Sequence, residues 1–294
     1  MLVHIESWFV LSASVALLWG ISGIFAKSSI SRLGVARVAL LIAIVEGMLY
    51  GIAFLIWREP HNITLYEASI ATFSCLIGLT GYLCYFESIL EGQVAIAGTI
   101  SAGYPALTVV GAFVLLSESL ILPHVIGIIL IIAGVIAISY EPNPRAVNAL
   151  NKRSLLFAVL AFFAWAVWSL SSKVAVEMVG PGNLFGFFVV SSLTAPLLYA
   201  WIRSVRPAEG ERPSPTKRAW SFGTVALGLN VIGTLAYAYA LEGGFASLVV
   251  PISSAYPIVT AVAAIALLKE KVNAVQAIAI VGVVTGLVTV GISM

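Results

Sequence analysis

The chain has 294 residues, of which 61% are hydrophobic and 10% are charged. Soluble domains carry about a quarter charged residues, so this composition excludes a water-soluble surface and predicts an integral membrane protein. The net charge of +2 is too small to indicate a nucleic-acid partner. The sequence contains no Asp and its histidines, His4, His61 and His124, are scattered. We therefore expect neither an Asp dyad nor a metal site, and no cofactor.

Apolar segments long enough to cross a bilayer as helices of about 20 residues follow one another along the chain. The first segment has no basic residues before it, so we expect a retained helix and no cleaved signal peptide. Short connections predict that successive helices are antiparallel neighbours. The sequence therefore predicts an all-α integral membrane protein with ten transmembrane helices. We place them at 8–28, 36–57, 68–90, 94–116, 121–140, 153–176, 184–203, 219–241, 245–268 and 272–293.

Two blocks of the sequence occur twice. Residues 19–27 (WGISGIFAK) correspond to 165–173 (WAVWSLSSK) at an offset of 146, and residues 100–108 (ISAGYPALT) correspond to 252–260 (ISSAYPIVT) at an offset of 152. The order and spacing of these blocks indicate an internal duplication.

The duplication divides the chain into a first five-helix repeat at 1–143, a linker at 144–152 and a second five-helix repeat at 153–294. Because five is an odd number, the second repeat must enter the membrane from the opposite side. The prediction is thus an inverted repeat, a construction typical of secondary transporters.

Each half also carries a Ser-x-x-Tyr-Pro block, followed by an apolar helix and a glutamate, Glu118 or Glu270, and begins with a Trp-containing helix. This pattern resembles the EamA family of the drug/metabolite transporter superfamily over nearly the whole chain. The second copy, EGGFASLVVPISSAYPIVTAVAAIALLKEK, is the closer match; the first copy has Thr99 where the second has Pro251. The resemblance implies transport of amino acids, other metabolites, quaternary amines or drugs without ATP, and leaves the substrate open.

Depth along each helix selects the candidate site. At 1.5 Å per residue, Trp19 and Glu46 lie roughly 20 Å into the membrane from the turn near 32–33. The same count from the other turns gives similar depths for the other candidates. Inverted-repeat transporters bind substrate near the midplane, so these side chains are the candidate lining of a substrate cavity. They are Trp19, Glu46, Tyr82, Tyr104, Trp165, Ser192 with Thr194, Asn230 and Tyr256.

Glu46 interrupts an otherwise apolar segment. A carboxyl at the centre of a membrane helix is costly unless it is paired or protonated. One interpretation is a coupling site, where a proton or cation is exchanged for substrate. The other is a protonated or serine-paired carboxyl that serves only in helix packing.

The aromatic residues at mid-depth, Trp19, Trp165, Tyr104 and Tyr256, also have two interpretations. Aromatic faces bind quaternary or protonated amines by cation-π contacts, and they also simply pack.

Pro105 and Pro257 occupy matching positions in the two halves. A proline inside a helix frees a carbonyl and bends the helix. Matching bends would suit two gates, whereas static bends would only fit the bundle.

Charged residues near helix ends have ordinary explanations. Long basic side chains such as Lys27 and Lys173 reach towards the membrane interface, although either is also a candidate partner for an anionic substrate group. Glu87 is expected at the rim. Glu118 and Glu270 are expected to cap the fifth and tenth helices.

Lys and Arg are concentrated on one side of the predicted membrane topology, thirteen against two. The positive-inside rule then places both termini outside, whereas proteins resembling this family are usually drawn with cytoplasmic termini.

The function that unites these features is secondary active transport of a small metabolite, with export as the expected direction and protons as a candidate coupling ion. A flippase for a lipid-linked substrate is the alternative. An intramembrane enzyme is disfavoured, because no nucleophile and base pair can be assembled. The expected partners are a small-molecule substrate, membrane lipid and protons, and the expected state is a monomer or a weak homodimer in the plasma membrane.

Overall fold

The computed structural model describes residues 6–91, 100–139, 152–205, 215–259, 262 and 274–293. Within these ranges all regular secondary structure is helical, which confirms the all-α class. The helices are α1 (Ser7–Trp57), α2 (Leu65–Glu91), α3 (Tyr104–Leu115), α4 (Leu122–Ser139), α5 (Lys152–Val179), α6 (Pro181–Val205), α7 (Lys217–Gly243), α8 (Ala246–Ser253) and α9 (Ala274–Ile292).

Helix α1 consists of two arms, residues 7–33 and 35–57, joined at Gly34. The backbone of Gly34 has φ 73° and ψ 163°, a conformation that interrupts the helix and that glycine adopts without a Cβ penalty. Trp19 in the first arm and Glu46 in the second arm both contact Asn230 of α7, so the arms lie side by side. The turn predicted near 32–33 is therefore found at the next residue.

Seven helical segments of the described residues are long and apolar enough to cross a membrane, so the chain is a multi-pass membrane protein. Three shorter apolar helices accompany them. The predicted segments at 94–116 and 245–268 lie partly outside the described residues. The long segments are Ser7–Ala26, Ser28–Trp57, Leu65–Ile89, Lys152–Val179, Pro181–Ile202, Lys217–Gly243 and Ala274–Ile292, and the short ones are Tyr104–Leu115, Leu122–Ile138 and Ala246–Val259. Of these, Ser28–Trp57 includes the interruption at Gly34, and Ala246–Val259 includes the turn at 254–255.

Local polar contacts fix where two helices begin. At the start of α2, the Thr64 amide donates to the Glu67 carboxylate at 2.7 Å, and the Glu67 amide donates to the Thr64 hydroxyl at 3.3 Å. This reciprocal pair is a capping box. Helix α7 begins in the same way with one bond, from the Ala219 amide to the Thr216 hydroxyl at 3.2 Å. Each bond satisfies an amide that has no partner within the first turn.

The two Tyr-Pro pairs lie just after turns. Residues 102–103 and 254–255 are turns, and helical backbone resumes at Tyr104 and at Tyr256. Pro105 and Pro257 thus occupy the first turn of a new helical segment, where a missing N–H is tolerated. The expectation of prolines bending a continuous helix is wrong for this reason: the helix is already interrupted before each proline.

The main helix pairs connect the two halves of the chain. The arms of α1 pack on α7 and α6, α2 packs on α5, α3 on α8, and α4 on α9. Helices α4 and α9 approach closely at glycines, since a Cβ placed on Gly286 would lie 2.6 Å from the Gly127 carbonyl oxygen. Many large apolar side chains, Leu55 and Ile278 among them, remain exposed on the outside. Such a surface suits contact with lipid.

Candidate functional site

The carboxyl of Glu46 lies where three helices meet. It is 3% exposed, in the second arm of α1. Its Oε1 accepts a hydrogen bond from Asn230 Nδ2 of α7 at 3.2 Å, and its Oε2 accepts one from Ser192 Oγ of α6 at 3.5 Å. Both donors are neutral. The acid is therefore held by an amide and a hydroxyl, with one partner on each of two helices from the other half of the chain.

Asn230 links the acid to an aromatic cluster. Its carbonyl oxygen accepts a hydrogen bond from Trp19 Nε1 at 3.3 Å. The ring of Trp19 lies 5.5 Å from Tyr237, 6.1 Å from Trp168 and 6.4 Å from Tyr256, measured between ring centroids. These separations are typical of interacting aromatic rings. We call Trp19, Trp168, Tyr237 and Tyr256 the first aromatic cluster.

A second aromatic cluster surrounds Trp165. Its ring lies 5.4 Å from Tyr85, 5.8 Å from Tyr104 and 6.4 Å from Tyr82. Tyr82 in turn packs on Phe86 at 4.5 Å. The predicted residues Tyr82, Tyr104 and Trp165 are thus brought together here.

The two clusters have corresponding members. Trp19 and Trp165 are related by the offset of 146, whereas Tyr85 corresponds to Tyr237 and Tyr104 to Tyr256 at the offset of 152. Trp19 and Trp165 each pack on corresponding tyrosines from the other half of the chain, whereas Trp168 comes from the same half as Tyr237 and Tyr256.

Glycines make this approach possible. A Cβ placed on Gly233 would lie 2.6 Å from Trp19 Cδ1, and one placed on Gly81 would lie 2.8 Å from Trp165 Cδ1. Gly81 and Gly233 are themselves related by the offset of 152. A side chain at either position would push the indole away, so the two glycines set the depth to which each Trp inserts.

One predicted residue lies away from the site, and three residues of the aromatic clusters were not predicted. Thr194 is exposed, and its hydroxyl bonds to the Val190 carbonyl oxygen of its own helix. It lies at the depth of Ser192 but on another face of α6. The missed residues are Tyr85, Trp168 and Tyr237. Tyr85 and Trp168 each follow a predicted residue by three positions, a spacing that places both on one helical face.

The basic residue Lys173 has a structural partner that the sequence did not indicate. It is 8% exposed, so the expectation that it reaches the interface is wrong. Its Nζ donates to the carbonyl oxygens of Leu241 at 2.7 Å and Gly244 at 3.0 Å, and it lies 3.1 Å from Glu177. A cation at the carboxyl end of α7 is favourable for the helix dipole. The side chain of Lys27 lies outside the described residues.

The acidic residues near helix ends also differ from expectation. Glu118 accepts hydrogen bonds from the amides of Ala246 at 2.7 Å and Ser247 at 2.8 Å, so it caps α8 and not the fifth helix. The reason is that α3 ends beside the start of α8. Glu87 is 3% exposed and accepts a hydrogen bond from the Tyr199 hydroxyl, so it does not lie at the rim. Glu270 lies outside the described residues.

A cavity of about 350 Å³ lies beside these charged residues, away from Glu46. It is lined by Leu116, Ser117, Glu118, Lys173, Glu177 and Phe245. The carboxylate of Glu118 and the ammonium of Lys173 already bind backbone groups of the α7–α8 connection. These two groups hold that connection in place.

Comparison with known proteins agrees with this architecture. A solved crystal structure, described only as that of a protein, superposes with a TM-score of 0.73 over 97% of this chain and 96% of its own, at 21% sequence identity. At that identity the likeness establishes the fold alone.

Two curated proteins are similar in sequence. An uncharacterized protein of Methanocaldococcus jannaschii is 27% identical over 137 residues, which are 46% of this chain and 97% of that protein. An uncharacterized transporter of Clostridium kluyveri is 42% identical over 76 residues, which are 26% of this chain and 24% of the transporter.

The model of the EamA-like transporter family matches the sequence twice, over residues 6–140 and 152–292. Together these matches cover nearly all of the chain, in agreement with the resemblance of its Tyr-Pro blocks. The chain is a member of the EamA-like transporter family.

Proposed function

We propose that this protein is a secondary transporter built from two inverted five-helix repeats, 1–143 and 153–294, with ten transmembrane helices. Three observations support the duplication. The aromatic clusters correspond, the helix pairs cross between the halves, and Gly34 and Gly180 both have positive φ at an offset of 146. The Methanocaldococcus protein is matched over 97% of its length by 46% of this chain, which suits a half-size relative.

The proposed substrate is a small metabolite with a cationic group: an amino acid, an amine or a drug-like cation. The observation that carries this proposal is the buried Glu46 carboxyl, held by Ser192 and Asn230 and linked through Asn230 to the first aromatic cluster. A carboxyl attracts a cation, and aromatic faces bind an ammonium group that has lost its water. Trp19, Tyr82, Tyr104, Trp165 and Tyr256 are the proposed aromatic wall.

The transport cycle follows from burial. At 3% exposure Glu46 is closed off from water in this conformation. Uptake and release of a proton or cation require that it opens to each side in turn. The interruptions before Pro105 and Pro257 are the proposed flexing points, since helix ends absorb changes in backbone angles more readily than continuous helix does. The two halves then rock about the site in alternating access.

The test begins with a thermal-shift screen of the purified protein against amino acids, tetramethylammonium and choline, because a bound ligand raises the apparent stability. The compound that binds is then used in proteoliposomes with an imposed pH gradient. We expect Glu46→Gln to abolish the dependence of transport on that gradient. Glu177→Gln, at an exposed carboxyl, is the matched control and should transport as the unchanged protein does. Gradient-driven transport by Glu46→Gln would remove Glu46 from coupling.

We propose that the protein exports its substrate across the plasma membrane. From the charge count we also propose that both termini lie outside. A cysteine introduced at Ser293 or at Ser214, in a chain with Cys75 and Cys84 replaced, reports the side of each segment. Labelling by an impermeant maleimide from outside is expected at Ser293. Labelling from outside at Ser214 alone would reverse the proposed orientation.

A further inference from the structure

Two glycines fix how the halves correspond around Glu46. Gly34 and Gly180 are the glycines with positive φ among the described residues, at 73° and 79°. Gly34 precedes the second arm of α1, and Gly180 precedes α6. Both are backbone positions that favour glycine, so they are equivalent by conformation as well as by the offset of 146. Glu46 follows Gly34 by the same number of residues as Ser192 follows Gly180, so positions 46 and 192 are equivalent.

The two equivalent positions touch each other. Ser192 Oγ lies 3.5 Å from Glu46 Oε2. A two-fold rotation that exchanges the two halves also exchanges positions 46 and 192. Because these two side chains are in contact, the rotation axis passes close to the point midway between them.

Neighbouring contacts agree with this location. A Cβ on Gly47 would lie 3.4 Å from Leu193 Cδ2, another pair related by 146. Further along, the ring of Tyr50 stacks on Phe188 at 4.8 Å. Residue numbers rise along α1 as they fall along α6, so the two helices are antiparallel here. A two-fold axis perpendicular to both helices relates such a pair.

We propose that positions 46 and 192 form one exchange site on the axis between the halves, and that a carboxyl supplied from either helix serves it. This inference rests on the proposed function. Ser192 is then the positioning residue that occupies the place of a second acid.

The amide that binds the carboxyl is not duplicated in the other half of the chain. Asn230 donates to the carboxyl, whereas its equivalent at the offset of 152 is Gly78, which has no side chain and lies against Trp168. The site thus offers a single amide on the α7 side. Among the described residues, the hydroxyls of Tyr50, on the same helix, and Tyr82, on α2, also interact electrostatically with Glu46.

The test exchanges the two residues and follows the carboxyl with N,N′-dicyclohexylcarbodiimide, an apolar reagent for protonated acids within membranes. The carboxyl adds to a C=N bond of the reagent and rearranges to a stable N-acylurea, which peptide mass spectrometry locates. In the purified full chain we expect labelling at Glu46. Glu46→Ser should lose it. Glu46→Ser combined with Ser192→Glu should regain labelling, now at position 192.

The matched control is Glu46→Ser with Ser191→Glu. Ser191 is also buried, but its hydroxyl bonds to the Phe188 carbonyl oxygen and it faces a different direction from Ser192. We expect no regained labelling in this control. Equal labelling at positions 191 and 192 would overturn the proposal. So would a protein with Glu46→Ser and Ser192→Glu that folds and stays unlabelled at position 192.

Two further variants keep the test decisive if Glu46→Ser combined with Ser192→Glu does not fold. Glu46→Ser with Ser192→Asp places a smaller acid at the same position. Ser192→Ala should speed labelling of Glu46, because one carboxyl oxygen loses its hydrogen bond, whereas Ser191→Ala should not. An unchanged rate in Ser192→Ala would overturn the role of Ser192. None of these readouts needs transport, so a failure of the proposed function would appear separately in the proteoliposome experiment.

Discussion

Glu46 and Lys173 are both buried among apolar helices, but different groups satisfy them. Glu46 is bound by neutral side chains from two helices, so its protonation can change without breaking an ion pair. Lys173 is bound by two backbone carbonyl oxygens and by Glu177. Such carbonyls need a donor at all times, because a buried acceptor without a partner is costly. The first arrangement suits exchange, and the second suits permanent fixation of the α7–α8 connection.

Replacing Lys173 by Met should destabilise the protein by about 1–3 kcal/mol, because the carbonyls of Leu241 and Gly244 lose their donor. The measurement is the thermal unfolding midpoint in detergent, which should fall. Glu177→Gln is the control, since the Glu177 side chain is 57% exposed and solvent weakens its ion pair. If both variants unfolded at the same temperature, the carbonyl bonds would contribute nothing.

Helix α7 shows how closely one element is matched to another. It faces α1 with Gly233 under the indole of Trp19, yet it also carries Gly228, around which a Cβ would meet nothing within 4 Å. The two glycines lie in one helix and differ in what surrounds them. They therefore separate the effect of packing from the effect of helix propensity.

Gly233→Ala should destabilise the protein by about 1–3 kcal/mol, because the added methyl group overlaps Trp19. Gly228→Ala should stabilise it by up to about 1 kcal/mol, because alanine favours helix without a clash. Both are measured as shifts of the unfolding midpoint in detergent. A loss of stability in Gly228→Ala as large as that in Gly233→Ala would show that backbone flexibility of α7, and not the fit to Trp19, sets the effect.

Hydropathy predicted elements well, because a bilayer fixes helix length. The segment predicted at 36–57 agrees with the second arm of α1, and 219–241 agrees with α7. Depth counting also brought Glu46 and Asn230 to the same height. It could not separate Ser192 from Thr194, because distance along an axis does not determine the direction around it.

Contacts between distant elements could not be predicted from local pattern. Glu118 caps α8 across 129 residues in its bond to Ser247, and nothing near Glu118 indicates that target. The carbonyl partners of Lys173 lie at the α7–α8 connection, for which the sequence predicts a turn but no contact with Lys173. Both contacts depend on how whole helices pair.

At the scale of the molecule, each half completes the other. The helix pairs join residues before 140 to residues from 152 onwards. Trp19 packs on Tyr237 of the other half, and Trp165 packs on Tyr85 of the other half. An isolated half would therefore expose indole rings, glycine-lined faces and polar groups that have partners only in the complete protein.

Residues 1–146 and 147–294, produced as two separate chains in one cell, should assemble, because the contacts between the halves do not need a covalent linker. Purification through a tag on one chain should recover both chains, with an unfolding midpoint near that of the intact protein. Each chain produced alone should be degraded or aggregate. Stable accumulation of either chain alone would mean that a half has a sufficient core of its own.

The hydrogen bond between Glu46 and Asn230 joins residues that are 184 positions apart, so its two partners are synthesised at different times. Ribosomes add about 5–20 residues per second, so Asn230 is synthesised roughly 10–40 s after Glu46. For that time the carboxyl resides in the translocation machinery or the bilayer without its amide, where the neutral acid costs least. We therefore expect this helix to enter the bilayer most readily while the Glu46 carboxyl is protonated.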